Sequence, residues 1–308
     1  MSICVFGIFV ADLCFFANDI PIPGQTILGK KYIIGPGGKG SNQAIAAARA
    51  GGNVSFISKV GKDSYADLAI SLYERDKINY DGLVISENES TGAAGILINE
   101  KTGQNAINVV PGAAGTIDEK LIDSKLNIIE SSDVFLTQLE TPKEVTLYAL
   151  KKAKNFNCTT ILNPAPASEI TDDNFQYFDF FTPNETEASF YYGQSSFYFC
   201  QSIKNEEDFK KAGNFFLDKG IKNIIITLGE NGCYFKNNKE EFIVPASNLK
   251  KPVVDTTGAG DAFNGALSVA ISQNKNYKEA IEFANLVAGV SVTREGAANS
   301  MPYKEELL

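Results

Sequence analysis

The stretch Val254-Asp-Thr-Thr-Gly-Ala-Gly-Asp-Ala-Phe-Asn-Gly-Ala-Leu-Ser-Val-Ala270 decides the fold, and the rest of the chain is organised around it. Gly258 and Gly260 provide a turn without Cβ atoms. A helix is predicted from Asp261 to Ser272, because apolar residues recur there at helical spacing: Ala262, Phe263, Ala266, Leu267 and Ala270. The first N–H groups of a helix have no partner within it, and the helix dipole favours negative charge there. This turn therefore predicts an anion-binding site.

Asp261 stands beside the predicted anion site, where its carboxylate would repel a bound phosphate. Two interpretations of this residue are open. It caps the helix, or it acts as a general base that takes a proton from an alcohol while the alcohol attacks a phosphoryl group held over the turn.

Composition limits the classes of function. The chain has 308 residues, 44% hydrophobic and 21% charged, which fits one large core with at most a small appendage. A net charge of −9 argues against nucleic acid and anionic membranes as partners. No histidine is present, which excludes His-based catalysis and His-ligated metals. The five cysteines lie far apart without a C-x-x-C, and no apolar run reaches membrane-spanning length. We expect reduced thiols in a soluble, cytoplasmic protein.

Short apolar runs alternate with amphipathic stretches along the chain. The predicted strands are Ile3–Phe6, Val54–Ser58, Val134–Leu139, Thr159–Leu162, Phe178–Thr182 and Ile224–Leu228. The predicted helices are Ser41–Ala50, Asp67–Asp76, Lys143–Lys154, Glu206–Lys219, Asp261–Ser272 and Tyr277–Val290. This alternation predicts an α/β fold, a doubly wound and mostly parallel sheet flanked by helices. Ligands of such sheets bind beyond the carboxyl ends of the strands.

Two segments depart from the alternation. Residues 12–34 contain prolines followed by a strand-like run, and residues 91–110 predict a hairpin that turns at Glu100–Gly103. We predict a single domain, 1–308, with a small β-sheet lid formed by about 12–38 and 91–112. The alternative is an ordinary extension of the sheet edge. The segment Phe190–Cys200, rich in Phe and Tyr, is predicted to be a buried or subunit-facing loop.

Two glycine motifs need separate consideration. Gly35–Gly40 matches G-x-G-x-x-G, and Asp63 follows at the distance of a ribose-binding acid. The motif lies in the lid-like region and not after the first core strand, so we favour a glycine floor beneath a polyhydroxy ligand, with Lys39 and Asn42 bonding its hydroxyls; a plain tight turn is the alternative. Gly24–Lys31 only approaches a P-loop, because Lys31 replaces the magnesium-binding Ser or Thr.

Polar residues at strand ends complete the candidate site. Asp12 and Glu140 are either solvated carboxylates or ligands of sugar hydroxyls. Asn184 and Glu187 form a turn and helix cap, or face a metal–phosphate group, since Mg²⁺ takes oxygen ligands. The turn Thr227–Gly232 follows a buried run and could pass close to a nucleotide.

Two segments carry a resemblance to a known family. Gly-Gly-Lys-Gly-Ser-Asn-Gln (37–43) and Asp-Thr-Thr-Gly-Ala-Gly-Asp-Ala-Phe-Asn-Gly (255–265) resemble the hallmarks of the ribokinase-like (phosphofructokinase-B) carbohydrate kinases. Further similar segments follow in the same order over nearly the whole chain: Gln138–Glu140, Asn163–Ala167, Thr182–Glu187, Ile226–Gly229 and Val292–Ala297.

The resemblance implies a cytoplasmic transferase that moves the ATP γ-phosphoryl group to the O5 hydroxyl of a pentose such as D-ribose. It implies Asp261 as base and Gly258, Ala259 and Gly260 as anion hole. It implies sugar contacts at Val10, Asp12, Gly38, Lys39, Gly40, Asn42, Glu140 and Asp261. For ATP and Mg²⁺ the matching positions are Asn184, Glu187, Thr227, Gly229, Gly232, Gly260 and Asn285. An activating monovalent cation, usually K⁺, corresponds to Asp255, Thr257, Ser291, Arg294, Gly296 and Ser300. A homodimer through the β-lid is also implied.

One departure bears on the substrate. The family usually carries Asn where this chain has Val10, and an apolar side chain cannot bond a sugar hydroxyl. The related deoxyribose kinases have an apolar residue there, so 2-deoxy-D-ribose is an alternative acceptor. Fructose and nucleosides remain open within the same fold. Outside sugar kinases, a non-catalytic sugar or nucleotide sensor and a dinucleotide oxidoreductase are the other readings.

Overall fold

The buried run at the start of the chain forms the centre of a large sheet. The computed structural model describes residues 1–194, 203–248 and 251–307. Its strands are β1 (Ser2–Phe6), β2 (Val10–Ala17), β3 (Lys31–Gly37), β4 (Asn53–Gly61), β5 (Asn79–Ser86), β6 (Thr91–Asn99), β7 (Asn105–Gly112), β8 (Val134–Thr137), β9 (Thr159–Leu162), β10 (Phe180–Phe181), β11 (Asn223–Thr227), β12 (Cys233–Asn237) and β13 (Glu241–Val244). Within these described ranges, nine strands form one sheet in the order β13-β12-β11-β10-β9-β8-β1-β4-β5.

The large sheet is parallel from β11 to β5, and only β12 and β13 are antiparallel. Successive residues of a strand point to opposite faces, and Ile3–Phe6 are all fully buried. Both faces of β1 are therefore covered, as expected of a parallel strand between two helical layers. The predicted doubly wound, mostly parallel sheet is confirmed.

Helices cover both faces of this sheet. They are α1 (Lys39–Arg49), α2 (Ser64–Arg75), α3 (Glu119–Asp123), α4 (Leu126–Glu130), α5 (Lys143–Asn155), α6 (Glu185–Gln194), α7 (Glu206–Asp218), α8 (Ala259–Ser272) and α9 (Tyr277–Ser291). All six predicted helices are present, with ends that match or differ by at most three residues. None of the helices in the described ranges has the length and apolarity needed to cross a membrane.

Three strands of the large sheet were not predicted. They are β5, β12 and β13, and they lie at or near the two edges. The apolar signal of β5 is weak, because only two of its eight residues are buried and it contains Asp81-Gly82. The predicted strand Phe178–Thr182 is reduced to Phe180–Phe181, although the residues on either side are also buried.

A second, four-stranded sheet has the order β3-β2-β6-β7. The predicted hairpin corresponds to β6 and β7, which pair antiparallel. The sheet begins at Val10, two residues before the segment expected to form the lid. Asp12 was placed after the first strand, but it lies inside β2, which pairs with both β3 and β6. The run Val10–Ala17 lacks a regular alternation of apolar and polar residues, which is why the strand was missed.

Two predictions fall partly outside the described residues. The aromatic segment Phe190–Cys200 begins in the last turns of α6, where Tyr191 is buried against Phe181, and continues beyond the described range. Cys200 also lies outside it. The remaining cysteines are free thiols, and three of them are buried, at Cys4, Cys158 and Cys233.

Helix α8 is the central helix of the layer that carries it. Nearly all of its residues from Asp261 onward are buried, because it packs against both α1 and α9. Gly265 makes the contact with α1 possible. A Cβ atom at Gly265 would lie 2.6 Å from Cβ of Ala46 and 2.7 Å from the carbonyl oxygen of Gln43. The two helices therefore approach closely at their middle turns.

A buried ion pair holds the other end of α1. The guanidinium of Arg49 bonds Asp76 at 2.9 Å, and both side chains are almost fully buried. Arg49 also donates to the carbonyl oxygens of Ala298 and Met301, each at 2.9 Å. Tyr303 donates its hydroxyl to the same aspartate. The C-terminal end of α1 is thus fastened to the segment near residue 300.

Candidate active site

The candidate base lies where the N-termini of α1 and α8 meet, beyond the carboxyl ends of the strands. Asp261 is the third residue of α8, and its side chain is buried. One carboxylate oxygen, Oδ2, accepts a hydrogen bond from Nδ2 of Asn42 at 3.0 Å, and Oδ1 accepts one from Nε2 of Gln43 at 3.0 Å. The helix begins at Ala259, two residues earlier than predicted, and no side chain caps it. Asp261 is therefore not a helix cap.

The glycine turn before α8 is open to solvent. Gly258 adopts a φ of +78°, in the left-handed region that favours glycine. Its neighbour Gly260 is exposed, and a Cβ atom there would meet nothing within 4 Å. The back of the turn is closed by the C-terminal segment, since a Cβ atom at Gly258 would lie 3.0 Å from Cα of Ala297. The backbone N–H groups at this helix end can therefore donate to an anion that approaches from the solvent side.

A cluster of carboxylates surrounds a single lysine next to Asp261. Glu140 accepts a hydrogen bond from the backbone N–H of Lys39 at 2.8 Å, so its negative charge lies at the N-terminus of α1, where the helix dipole favours it. The carboxylate of Asp12 lies directly against Gly37. A Cβ atom at Gly37 would overlap it. The strand β2 brings Asp12 to this position.

Burial and mutual repulsion shift the ionisation of this cluster. Burial raises the pKa of Asp12 to about 6, and the charge of Asp261 adds to the effect. Burial also raises the pKa of Glu140 to about 7, because the attraction of Lys39 offsets only part of the desolvation. The pKa of Lys39 is raised, chiefly by the charge of Asp261. Strongly shifted groups that share a cleft are typical of functional sites.

Gly37, Gly38 and Gly40 of the 35–40 motif lie at close contacts, whereas a Cβ atom at Gly35 would meet nothing within 4 Å. Gly38 has a φ of +86° and immediately precedes α1. A Cβ atom at Gly40 would lie 2.6 Å from Cα of Gly7 at the end of β1. Asp63, considered above as a ribose-binding acid, caps α2 by accepting from the N–H groups of Tyr65 and Ala66. The floor of the site is backbone, as the favoured interpretation requires.

Asn42 has a free acceptor in this floor. Its Nδ2 donates to Asp261, whereas its Oδ1 is buried and has no hydrogen-bond partner among the described residues. A buried unpaired amide oxygen costs roughly 1–3 kcal/mol. A ligand hydroxyl that donates to Oδ1 would remove this cost. Val10 precedes Asp12 by two residues on the same face of β2; it is buried and belongs to the hydrophobic core.

The first two positions expected to bind the nucleotide are Asn184 and Glu187. The backbone N–H of each residue donates to the side chain of the other, at 2.9 and 2.8 Å, which forms a reciprocal cap of α6. Both open interpretations of this pair are compatible with the structure, because Glu187 also interacts electrostatically with Lys39 and Asp261. Burial raises the pKa of Glu187.

Three of the remaining positions expected to bind the nucleotide lie at or after the end of β11, and the fourth, Asn285, lies in α9. Thr227 pairs with Asn184 in an isolated bridge, and Gly229 is exposed with a φ of +56°. Gly232 has a φ of +91° and lies against the backbone of Val244, with no room for a Cβ atom. Asn285 is buried, and its amide donates to the carbonyl oxygen of Pro245 at 3.1 Å. Asn285 therefore supports the loop after β13 through its side chain.

The positions expected to bind a monovalent cation come from two adjoining loops. Asp255 joins them, since its carboxylate accepts from the N–H groups of Thr257 and Gly296, both at 2.9 Å. Ser291 and Ser300 donate their hydroxyls to carbonyl oxygens of their own turns. The guanidinium of Arg294 is paired with Glu306. The structure thus brings Asp255, Thr257 and Gly296 together, and it directs the side chain of Arg294 away from them.

Sequence reasoning did not assign three buried amides that surround the base. Gln43 contacts Asp261 directly, and Gln138 and Asn163 contact Gln43. All three lie in the segments that carry the family resemblance, which was the available signal. Nothing in the sequence indicates which way their side chains point.

The fold and site define an α/β phosphotransferase, in which a carboxylate lies beside an open glycine turn at a helix N-terminus. The chain matches the model of the pfkB family carbohydrate kinases over residues 1–304, and it belongs to that family. It is an ATP-dependent sugar kinase. The family resemblance found in the sequence is confirmed.

Individual relatives agree with this assignment. The chain is 35% identical to ribokinase of Haemophilus influenzae, an alignment that covers 100% of this chain and 97% of the relative. It is 34% identical to deoxyribokinase of Salmonella typhi, in an alignment that covers 99% of this chain and 97% of the relative. Its fold superposes on ribokinase of Thermotoga maritima with a TM-score of 0.89, 38% identity and coverage of 99% and 97%. The structure of Arabidopsis thaliana ribokinase complexed with ribose and ATP superposes with a TM-score of 0.87 at 26% identity. The superposition covers 99% of this chain and 97% of that structure.

The raised pKa of Glu140 predicts a stability effect that depends on pH. A carboxyl whose folded pKa is about 7 stabilises the fold below its unfolded pKa, and this contribution is lost as pH rises through 7. Glu140→Gln removes the charge at every pH. We expect its melting temperature, relative to the native chain, to rise by a few degrees between pH 5 and pH 8 in unliganded protein.

The matched control is Glu144→Gln, which alters an exposed carboxylate on α5. Thermal melts at pH 5, 6, 7 and 8 should show a difference that grows with pH for Glu140→Gln and stays flat for the control. A constant or decreasing difference for Glu140→Gln would contradict the electrostatic account of the cluster.

Proposed function

We propose that this chain transfers the γ-phosphoryl group of ATP to the O5 hydroxyl of D-ribose, giving ribose 5-phosphate and ADP. The observation that carries the proposal is the position of Asp261, a buried carboxylate directly after the exposed Gly260 at the start of α8. A base and an anion-binding turn on one helix end suit an alcohol that attacks a phosphoryl group. The named ribokinases among the relatives, one in complex with ribose and ATP, support the choice of acceptor.

In the proposed reaction, Asp261 takes the proton of O5 as this oxygen forms a bond to the γ-phosphorus. The bond between the γ-phosphorus and the bridging oxygen breaks, and ADP leaves. The N–H groups at Gly258, Ala259 and Gly260 stabilise the negative charge on the transferred oxygens. Burial of Asp261 raises its pKa, which strengthens it as a base, while the charge of Lys39 opposes that rise.

Sugar hydroxyls are proposed to bond the polar groups around the base. Asp12 and Glu140 accept from hydroxyls, and Lys39 donates to them. Asn42 contributes the unpartnered Oδ1 described above. Gly38 and Gly40 let the start of α1 pack against the backbone of Ile8 and Gly7, which forms the floor on which the sugar is proposed to lie. This set of charged and amide groups suits a small free sugar better than a nucleobase, which requires an apolar or aromatic wall.

ATP is proposed to lie along the ends of β10 and β11. Asn184, Glu187, Thr227, Gly229, Gly232 and Asn285 would line its site. A Mg²⁺ ion would neutralise charge on the phosphates, and the carboxylate and amide oxygens of Glu187 and Asn184 are the hard ligands it prefers, directly or through water. The electrostatic interaction of Glu187 with Lys39 and Asp261 supports a common site.

The assignment of the base predicts the behaviour of Asp261→Asn. The amide keeps the size of the side chain but cannot accept the O5 proton. We expect kcat to fall by about 100- to 10,000-fold, with the Kd for ATP within about twofold of the native value. A coupled assay of ADP release and a titration with ATP measure the two quantities. Turnover near the native rate would refute the role of Asp261.

A monovalent cation such as K⁺ is proposed to bind beside the anion hole. Asp255 joins the loops that carry Thr257 and Gly296, and the second loop closes the back of the turn at Gly258. An ion held there by carbonyl and hydroxyl oxygens would order the turn without touching the sugar. Replacing K⁺ with a tetraalkylammonium salt at constant ionic strength should lower kcat and leave the far-UV spectrum unchanged. Equal activity in both salts would contradict the cation site.

A second acceptor, 2-deoxy-D-ribose, is favoured by one observation. Val10 lies on the face of β2 that carries Asp12, and it offers no polar atom to a hydroxyl. Leaving a sugar hydroxyl unpaired costs roughly 1–3 kcal/mol, about 5- to 150-fold in kcat/KM. The similarity to a deoxyribokinase also supports this acceptor.

Specificity constants for the two sugars decide between these acceptors. We expect Val10→Asn to raise the ratio of ribose to deoxyribose kcat/KM by about fivefold or more, because the amide can bond the 2-hydroxyl. The core residue Val5 provides the control: Val5→Ala should not alter the ratio. Fructose and nucleosides belong in the same ADP-release panel. An unchanged ratio in Val10→Asn would show that this residue does not read the 2-hydroxyl.

The small sheet is proposed to act as a lid and as the contact of a homodimer. It exposes large apolar side chains on three of its strands: Phe15, Tyr32, Ile33, Ile34, Ile107, Val109 and Val110. Successive residues of a strand point to opposite faces, so the register places Ile33, Ile107 and Val109 on one face and the other four on the opposite face. Exposed apolar side chains grouped on a sheet face are typical of interaction surfaces. Sedimentation equilibrium of the native chain and of Ile107→Glu measures the association, and a monomeric native protein at micromolar concentration would refute it.

A further inference from the structure

A chain of buried amides ends on the carboxylate of Asp261. Gln43 donates from Nε2 to Oδ1 of Asp261 and to Oδ1 of Asn163, both at 3.0 Å. Gln138 donates from its own Nε2 to Oε1 of Gln43 at 2.5 Å. Asn163 donates from Nδ2 to the carbonyl oxygen of Thr182 at 3.1 Å. Residues that follow three neighbouring strands, β8, β9 and β10, therefore connect to the base through one glutamine.

The direction of every amide in this chain is determined by its partners. The carbonyl oxygen of Thr182 can only accept, so Asn163 must turn its Nδ2 to it and its Oδ1 to Gln43. Gln43 then presents both hydrogens of Nε2 to acceptors, and its Oε1 receives Gln138. Rotating the amide of Gln43 by 180° would place oxygen against two acceptors. The side chain is fully buried, so water cannot compensate.

We propose that Gln43 is a positioning residue that fixes the orientation of the Asp261 carboxylate for proton transfer. It holds Oδ1 from the interior, which leaves Oδ2, on the side of Asn42, for the acceptor hydroxyl. Gln43 touches neither the sugar nor ATP in this scheme. The inference rests on the proposed role of Asp261 as base.

The carboxylate needs this support because its surroundings are mixed in charge. Lys39 attracts the negative charge of Asp261, whereas Asp12, Glu140 and Glu187 repel it. Burial raises the pKa of Asp261, and the bonds from Asn42 and Gln43 oppose that rise. Without Gln43, the carboxylate would be free to rotate, and it would also protonate at a higher pH.

The test is Gln43→Met, which keeps the length of the side chain and removes its polar atoms. We expect kcat to fall by about 10- to 100-fold, the scale of a misplaced catalytic group, with KM for ATP within about twofold. The acid limb of the pH profile of kcat/KM should move to higher pH, because the free base has lost a hydrogen bond to its charged form. A structural defect alone would lower the amount of active enzyme without moving this limb.

A matched control lies in the same helix. Ser41 is buried in α1 and bonds the hydroxyl of Tyr73, and it has no hydrogen bond to Asp261 or to the amide chain. Ser41→Ala should leave the pH profile and kcat per folded molecule unchanged. A native profile and native kcat in Gln43→Met would overturn the proposal.

Two further variants make the result decisive. If Gln43→Met does not melt cooperatively, Gln43→Leu takes its place, because it also removes the donor to Asp261 and Asn163. A lower kcat with a shifted acid limb supports the proposal, and a native profile overturns it. Asp261→Asn separates the two hypotheses. If Asp261→Asn is inactive while Gln43→Met is native, the positioning role of Gln43 is refuted and the base role of Asp261 stands. If Asp261→Asn is active, both roles are refuted.

Discussion

The close contact between α1 and α8 is the constraint on which the site depends. A Cβ atom at Gly265 would overlap Ala46 and the carbonyl oxygen of Gln43, so any larger residue would force the helices apart. Their separation sets the distance between Asp261 on one helix and Asn42 and Gln43 on the other. Two hydrogen bonds of 3.0 Å leave little tolerance, since a displacement of 0.5 Å would already weaken both. The packing of these two helices therefore also determines the hydrogen-bond geometry of Asp261.

The second constraint is electrostatic. Asp12, Glu140, Glu187 and Asp261 share one cleft with a single lysine, and burial raises the pKa of all four carboxyls. Such a cluster opposes folding above neutral pH, because the folded chain binds protons more tightly than the unfolded one. A polyhydroxy ligand relieves the penalty by donating hydrogen bonds to the carboxylates. The groups that weaken the free protein are the groups proposed to bind the sugar, a trade-off common in active sites.

The sequence predicted the parts of this molecule that periodicity and turn chemistry determine. Buried runs such as Ile3–Phe6 and the helix after Gly258 were found because both patterns are local. The strand Val10–Ala17 was missed because its pattern is irregular, and the start of α8 was placed two residues late because Ala259 and Gly260 carry no apolar period. The motif residues of the site were named, but the amide chain was not. It depends on the order β10-β9-β8, which places three strand ends side by side.

Helix α1 links the two halves of the site through its opposite ends. Gln43 and Asn42, near its start, hold the base. Arg49, at its end, bonds the carbonyl oxygens of Ala298 and Met301, and this segment closes the back of the glycine turn at Gly258. Breaking a buried ion pair costs about 3–5 kcal/mol, so Arg49 cannot easily leave Asp76 to let the segment move. The eleven residues of α1 therefore determine the position of Asp261 at one end and of the segment behind the glycine turn at the other. A shift of α1 would move both.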